Sequence, residues 1–140
     1  MNLAITGTSG NIGGMVARHL NTRGLPLILP LRNPAKAPDL PNCEARRFAY
    51  GDLDLAKQAL NGVDVLFMES AAESPTREQE HLTLVQAASE AGVQTWSISL
   101  LLKRHWTVPS RWRAPMRLLK MQSCKRICAT PFYATIFTAR

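Results

Sequence analysis

The sequence contains no long hydrophobic run. None of its 140 residues belongs to an apolar stretch of the ~20 positions that a membrane-spanning helix needs. The chain opens on a short apolar segment, whereas a secretory signal begins with a basic region and a longer apolar run. We therefore expect a cytoplasmic protein with no membrane span. The length predicts at most one domain, large enough to bury a core.

Cysteine is scarce, and its positions argue against a metal site. The three cysteines are Cys43, Cys124 and Cys128, an odd number without metal-ligand spacing. Cys124 and Cys128 can share one face of a helix, but no histidine or carboxylate lies close to them in the sequence. We expect reduced thiols and no bound metal.

Acidic residues are absent from the last third of the chain. All ten lie at or before Glu90, whereas nine lysines and arginines occur from Thr95 onward. Eight basic residues precede Thr95, so the formal charge is about −2 before this point and +9 after it. All three tryptophans (Trp96, Trp106 and Trp112) also follow it. So sharp a change within one small domain requires a cause.

A glycine-rich turn is the most informative feature that is present. The apolar run Met1–Thr6 leads into Gly7, Gly10 and Gly13, and an amphipathic helix follows. Strand, glycine turn and helix together form the arrangement that cradles a dinucleotide pyrophosphate. Gly7 permits a tight turn, Gly10 lets the backbone approach the phosphates, and Gly13 lets the helix pack close to the strand.

Strand and helix patterns alternate beyond this turn. The predicted strands are Leu25–Leu31, Ala45–Tyr50 and Val63–Met68; the predicted helices are Asn11–Arg23, a short helix capped by Asp54, and Arg77–Ala91. We expect Ile12, Met15, Val16 and Leu20 to share one helix face, Leu82, Val85 and Ala88 another, and Gly24, Gly62 and Gly92 to end the helices. This alternation predicts an α/β fold, a Rossmann-like parallel sheet with helices on both faces.

The end of the second strand bears on the choice of cofactor. Arg32 and Lys36 follow this strand, and no carboxylate lies between Leu25 and Pro38. An acidic residue here would bind the ribose hydroxyls of NAD, whereas basic residues suit the 2′-phosphate of NADP. We therefore expect NADP, with NAD less favoured. The alternative is that both residues are solvated surface cations.

Four short motifs resemble a known family. L-R-N-P-A-K follows the second strand, Y-G-D the third and V-D-V-L-F the short helix, and E-x-x-H lies in the next helix. Over residues 1–94 the chain resembles the NmrA-like proteins, atypical members of the short-chain dehydrogenase/reductase family. Within that group it is most similar to bacterial NADPH-dependent quinone oxidoreductases. The resemblance implies an oxidoreductase that binds NADPH and transfers hydride to a quinone-like acceptor.

The resemblance also implies a set of cofactor-binding residues. Gly7, Thr8, Gly10, Asn11, Ile12 and Gly13 would surround the pyrophosphate, Arg32 and Lys36 would bind the 2′-phosphate, Asp52 and Leu53 would flank the adenine, and Ser70 and Ala71 would lie near the nicotinamide ribose. No catalytic residue is implied. Neither Tyr50 nor Tyr133 has a lysine four residues later, so the Tyr-x-x-x-Lys pair of ordinary short-chain dehydrogenases is absent. His81 could act near a substrate, although a structural histidine is the favoured interpretation.

Two residues depart from the family pattern. Pro30 lies inside the second strand, where it removes one hydrogen-bond donor from a strand predicted to be central. Glu69 places a carboxylate at the end of the fourth strand, where the family usually has an apolar residue. From the sequence, this carboxylate could either repel the cofactor phosphates or point to solvent.

The basic tail has two interpretations. It could bind nucleic acid or an anionic surface, with Met116, Leu119 and Ile127 along one side of a basic helix. Alternatively, it is the product of a shifted reading frame, because codons read from the third base permit M-V-Y-L-S, A-F-T-L-A-R and a string ending in F-L-R-D-N-L-Y, each resembling the family at its expected place. We favour the shifted frame, and nucleic acid is not an expected partner.

The expected organisation follows from the shifted frame. Residues 1–102 form a truncated NAD(P)-binding Rossmann-like domain, with Thr95–Leu102 as a makeshift fifth strand. Residues 103–140 form a basic tail that is loosely ordered or a poorly packed helix around Arg117–Cys128. The intact oxidoreductase would reduce a quinone-like acceptor, and this form would have weak or no activity. A non-catalytic NADP-sensing regulator is the alternative, and the oligomeric state is left open.

The gene itself tests the shifted frame. We expect the neighbouring frame, read from about codon 85 past codon 140, to continue in family-like strands and helices for roughly another hundred residues or more. Early stop codons in that frame, or the absence of a strand–helix pattern, would instead establish the basic tail as genuine. Sequencing of the nucleotides and translation in all frames makes the measurement.

Overall fold

Alternating strands and helices make up the first hundred residues of the structure. The computed structural model describes residues 1–69 and 74–97, together with the backbone of 98–100, 120–122 and 133–138. The elements are β1 (Leu3–Ile5), α1 (Asn11–Asn21), β2 (Leu27–Leu31), a 3₁₀ turn (Pro34–Lys36), β3 (Cys43–Arg47), α2 (Leu53–Ala59), β4 (Val65–Glu69), α3 (Arg77–Glu90), β5 (Thr95–Leu100), β6 (Lys120–Gln122) and β7 (Tyr133–Thr138).

The strands form one sheet in the order β3-β2-β1-β4-β5-β7-β6. The first five are parallel, and β7 and β6 are antiparallel additions beside β5. The chain moves outward from β1 to β3 and then returns to place β4 on the other side of β1. This order confirms the predicted Rossmann-like fold and creates a switch point between β1 and β4.

Alternate residues of the strands supply two separate cores. Leu3 and Ile5 of β1 pack on the face covered by α1, together with Ala17. Ala4 packs on the opposite face, in the cluster that contains Ala56 of α2 and Leu84 of α3. Because side chains alternate along a strand, the sheet has an apolar layer on each side. The prediction of helices on both faces is therefore confirmed.

The buried faces of two helices differ from the predicted faces. Met15 is 62% exposed, because α1 approaches the sheet through Gly13 and Ala17 instead. In α3 the buried positions are His81, Leu84, Ala87 and Ala88, whereas Leu82 is only half-buried. The predicted faces are correct in part, because Val16, Leu20 and Ala88 do pack in the two cores, but other deeply buried positions lie next to them. The small residues that the packing uses carry little hydrophobic signal in the sequence.

Pro30 lies in β2 without breaking the sheet. Leu27 N–H donates to Asn42 and Leu31 C=O accepts from Phe48, so these alternate residues direct their backbone groups toward β3. The nitrogen of Pro30 therefore faces β1. The β1–β2 ladder ends at the pair Ala4–Ile28. The missing donor coincides with the point where the β1–β2 ladder stops, while the β2–β3 ladder continues to Leu31–Arg47.

Three predictions about the elements are corrected. β3 covers Cys43–Arg47 rather than Ala45–Tyr50, because its register ends with that of β2. The N-cap of α2 is Asp52, whose side chain accepts from Leu55 N–H at 2.9 Å, and Asp54 lies within the first turn. A helix around Arg117–Cys128 is wrong at Lys120–Gln122, which pair as a strand with β7.

Other predicted elements agree with the structure. The expected fifth strand is present as β5, paired in parallel with β4 along Thr95–Ser99. The glycines predicted to end the three helices all have positive φ. Within the described ranges, no helix combines the length and apolar character needed to cross a bilayer.

The corrected cap generates a stability prediction. Asp52→Ala should lower the free energy of unfolding by about 1 kcal/mol, because the first turn of α2 loses its side-chain acceptor. Asp54→Ala is the matched control and should cost only ~0.3 kcal/mol, through its interaction with the helix dipole. Urea unfolding followed by circular dichroism measures both variants. An equal or larger loss for Asp54→Ala would contradict the assignment of the cap.

Candidate functional site

The candidate site lies at the carboxyl ends of β1 and β4. These two neighbouring strands are followed by connections that leave in opposite directions, toward β2 through α1 and toward β5 through α3. In open parallel sheets such a switch point leaves a crevice where ligands bind. The glycine turn follows β1 at this edge, and Glu69 is the last residue of β4.

The glycine turn is tight and closely packed. Gly7 has φ +69°, a left-handed conformation that side chains rarely adopt, and its carbonyl accepts from Gly10 N–H at 2.9 Å. A Cβ on Gly13 would lie 2.5 Å from the Gly7 carbonyl oxygen. The backbone of α1 therefore rests directly on the turn. The roles predicted for these two glycines, turn formation and close helix packing, match this geometry.

The N-terminus of α1 is suited to an anion. Gly10 is the N-cap and provides no side chain, and the first turn contains no acidic residue. The first hydrogen bond of the helical series runs from Gly14 N–H to Gly10 O, at 3.1 Å. The amides of Asn11, Ile12 and Gly13 precede this bond and take no part in the series. Such amides, together with the positive end of the helix dipole, attract negative charge.

Glu69 extends its side chain into this positive end. Its Oε2 accepts a hydrogen bond from Gly13 N–H at 2.8 Å. The same oxygen would lie 2.7 Å from a Cβ on Gly13 and would also collide with one on Gly7. Burial raises the pKa of the Glu69 carboxyl, and the bond from the Gly13 amide opposes this rise. The carboxylate is therefore directed at the glycine turn rather than into solvent.

A hydrogen-bonded group connects the ends of the two central strands. Thr6 Oγ1 accepts from Glu69 N–H at 2.9 Å, and the Tyr50 hydroxyl donates to the Glu69 carbonyl at 2.8 Å. The Tyr50 oxygen also lies 3.1 Å from Thr6 Oγ1. Burial raises the pKa of Tyr50 to about 12, so its hydroxyl keeps its proton at neutral pH.

Sequence reasoning misses the roles of Thr6 and Tyr50. Tyr50 belongs to the Y-G-D motif, which contributes to the prediction only through its resemblance to the family. Its contacts join β1 and β4, two strands that are far apart in the chain. No local pattern predicts such a pairing. Together Thr6 and Tyr50 fix the backbone from which the Glu69 side chain projects.

Arg32 and Lys36 lie at the same edge of the sheet. Arg32 follows β2 directly, and Lys36 ends the 3₁₀ turn, where Asn33 caps the helix start by accepting from Ala35 N–H. Both cations are exposed, and neither has an ion-pair partner within the described residues. Arg32 is near enough to Tyr50 to lower the pKa of its hydroxyl. Two available cations therefore lie on the β2 side of the crevice.

The remaining predicted residues divide into three groups. Asp52 and Leu53 lie at the start of α2, and Leu53 also packs against the core. Thr8 is buried, and no described residue bonds to its hydroxyl. Ser70 and Ala71 lie outside the described residues.

His81 is a core residue of α3. It is 2% exposed, and burial, aided by the charge of Arg77, lowers its pKa to about 4. Its ring lies 6.2 Å from that of Tyr50. The imidazole is therefore neutral at neutral pH, and the geometry fits the structural interpretation. No cluster of His, Cys, Asp or Glu among the described side chains could hold a metal ion.

The residues at this edge fit a dinucleotide in most respects. The turn has no side chain at its closest approach to the helix, and the helix start offers amides to phosphate. Arg32 and Lys36 provide positive charge on the β2 side. Within the described part of this edge, the feature that does not fit is the carboxylate of Glu69, which is already bonded to one of the amides.

Comparisons with known proteins agree with this geometry. A family model described as NAD(P)H-binding matches residues 7–120. Quinone oxidoreductase 2 of Escherichia coli (strain K12) is 34% identical over 104 residues, which cover 71% of this chain and 36% of that protein.

Solved structures give the same result. The NADPH-dependent quinone oxidoreductase from Escherichia coli, complexed with NADPH, matches with a TM-score of 0.61 and 34% identity over 66% of this chain and 34% of that one. Triphenylmethane reductase from Citrobacter sp., complexed with NADP(H), matches with a TM-score of 0.61 and 30% identity over 67% of this chain and 35% of that one.

The chain thus spans about a third of the length of these relatives. The predicted resemblance to bacterial NADPH-dependent quinone oxidoreductases is confirmed over about two thirds of the chain. Because the family model covers most of the sequence, from the glycine turn through β5, the chain belongs to the NAD(P)H-binding family.

Proposed function

We propose that this chain binds NADP(H) as the nucleotide-binding part of a reductase. The observation that carries the proposal is the Gly7–Gly13 turn beneath the start of α1, at the switch point of a parallel sheet. The residues proposed to surround the pyrophosphate are Gly7, Thr8, Gly10, Asn11, Ile12 and Gly13. The NADPH and NADP(H) complexes of the two similar reductases support the same ligand class.

The adenosine end of the cofactor is assigned to the β2 side. Arg32 offers a planar fork that suits a 2′-phosphate, and Lys36 adds a second positive charge. Both are exposed at the carboxyl edge, which supports NADP over NAD. Asp52 and Leu53 are proposed to flank the adenine, and Ser70 and Ala71 to lie near the nicotinamide ribose.

The proposed reaction of the whole protein is reduction of a quinone-like acceptor. The similarity to Escherichia coli quinone oxidoreductase supports this acceptor class. The bound dihydronicotinamide would supply the hydride, and the protein's part is to bind and orient the two reactants. The turn, the helix start and the two cations do this for the cofactor.

The domain boundary is also a proposal. We assign residues 1–102 to the nucleotide-binding domain and 103–140 to a basic tail that results from a shifted frame. The change from about −2 to +9 in formal charge at Thr95 supports a discontinuity close to this boundary. The choice between shifted frame and genuine basic tail depends on the gene sequence.

Replacement of Arg32 tests the cofactor assignment. Arg32→Glu should weaken NADPH binding by about 10- to 100-fold, because it removes a charge-assisted bond to phosphate and adds repulsion. Binding of NADH, which has no 2′-phosphate, should change much less. Arg23→Glu is the matched control, since Arg23 is exposed beyond the far end of α1. Calorimetric titration measures both; equal losses in the two variants, or for the two nucleotides, would contradict the assignment.

Turnover by this chain is a separate measurement. We expect the purified 140-residue protein to bind NADPH but to oxidise it weakly or not at all in the presence of quinones. The loss of NADPH absorbance across a panel of quinones measures this. Clear quinone reduction that Arg32→Glu abolishes would overturn the expectation. Binding without turnover would also be consistent with the alternative of an NADP-sensing regulator.

A further inference from the structure

We propose that Glu69 is an internal competitor for the pyrophosphate site, an inference that rests on the proposed function. The carboxylate bonds to Gly13 N–H, one of the amides at the start of α1 that make no hydrogen bond within the helix. It therefore supplies the negative charge that the helix start attracts, at the place assigned to the cofactor phosphates.

The position of Glu69 leaves little room for both groups. Its Oε2 lies close enough to both Gly7 and Gly13 to collide with any Cβ placed on either residue. A pyrophosphate bound at the same turn would bring two negative charges beside this carboxylate. Charges of like sign repel strongly at a partly buried position, where solvent screening is reduced. Nucleotide binding therefore requires that the side chain rotate away or take up a proton.

Hydrogen bonds from neighbouring side chains hold the backbone of Glu69 but do not hold its carboxylate. Thr6 and Tyr50 bond to the amide and carbonyl of Glu69, and neither bonds to its carboxylate. The side chain can therefore leave the turn by rotation about its own bonds without disturbing β4. Departure breaks the bond to Gly13, whose amide is then available to phosphate.

The titratable and charged groups around Glu69 determine which protonation change a pH series would report. Tyr50 faces this end of β4 with a pKa of about 12, and the buried His81 behind it has a pKa of about 4. Arg32 from β2 and Glu80 from α3 act on Tyr50 through their charges, and Arg18 of α1 lies beside Gly14. Among these described groups, Glu69 is the one whose protonation removes charge from the turn itself.

Glu69→Gln tests the proposal, because the amide oxygen can still accept from Gly13 N–H while the charge is lost. The probes are NADPH and ADP-ribose, which has the pyrophosphate without the 2′-phosphate. We expect Glu69→Gln to bind both about tenfold more tightly at neutral pH, or to bind where the wild type does not. Glu90→Gln, which removes a charge at the far end of α3, is the matched control and should leave affinity unchanged.

A pH series on the wild-type protein provides a second measurement that needs no folded variant. Because burial raises the pKa of Glu69, the affinity of the wild-type protein for ADP-ribose should rise as the pH falls toward the ordinary carboxyl range, where protonated Glu69 no longer repels the pyrophosphate. The advantage of Glu69→Gln should shrink over the same range, so comparison at each pH isolates Glu69 from other titrating groups.

The outcomes separate the two proposals. Tighter binding by Glu69→Gln with an unchanged control supports both of them. Equal or weaker binding by Glu69→Gln, or a wild-type affinity for ADP-ribose that does not vary with pH, overturns the role of Glu69 and leaves the nucleotide-binding function standing. Failure of wild type and variant alike to bind NADPH at any pH overturns the proposed function and the competitor role with it.

Discussion

The contact between Gly13 and the Gly7 carbonyl is the constraint on which the site depends. A Cβ at Gly13 would lie 2.5 Å from that oxygen, so any side chain there would push α1 away from β1. The close approach aligns the first amides of the helix with the end of the sheet and leaves no side chain between them. The same contact explains why α1 buries small residues such as Ala17 and leaves Met15 exposed.

A helix start held so near the sheet creates a local electrostatic requirement. Gly10 cannot cap the helix with a side chain, so one of the free amides is satisfied from another element, by Glu69 at the end of β4. Burial of this carboxylate raises its pKa, a sign that the charged form is disfavoured at this position. In the proposed competition, the Glu69 carboxylate stabilises the helix start of the free protein and at the same time lowers the affinity for a phosphate ligand.

Local signals in the sequence are sufficient for the order of elements through β5, the fold class and the position of the turn. Glycine spacing, strand–helix alternation and helix-ending glycines all act over a few residues. The predicted helix faces include residues that pack on the two cores, but they miss Gly13, Ala17 and His81, which carry little hydrophobic signal. The network of Thr6, Tyr50 and Glu69 is not predictable, since its members meet only through the parallel pairing of distant strands. The direction of the Glu69 side chain has the same cause.

The fifth strand shows why the change in composition does not disturb the site. β5 pairs with β4 from Val65–Thr95 to Glu69–Ser99, and Trp96 is 4% exposed within the core beneath α3. An apolar, partly β-branched segment is enough to add a strand to a parallel sheet, whichever frame encodes it. The turn, Glu69 and the cations are positioned by β1, β4 and β2, all of which precede Thr95. The geometry proposed for nucleotide binding therefore depends on elements encoded before the charge changes.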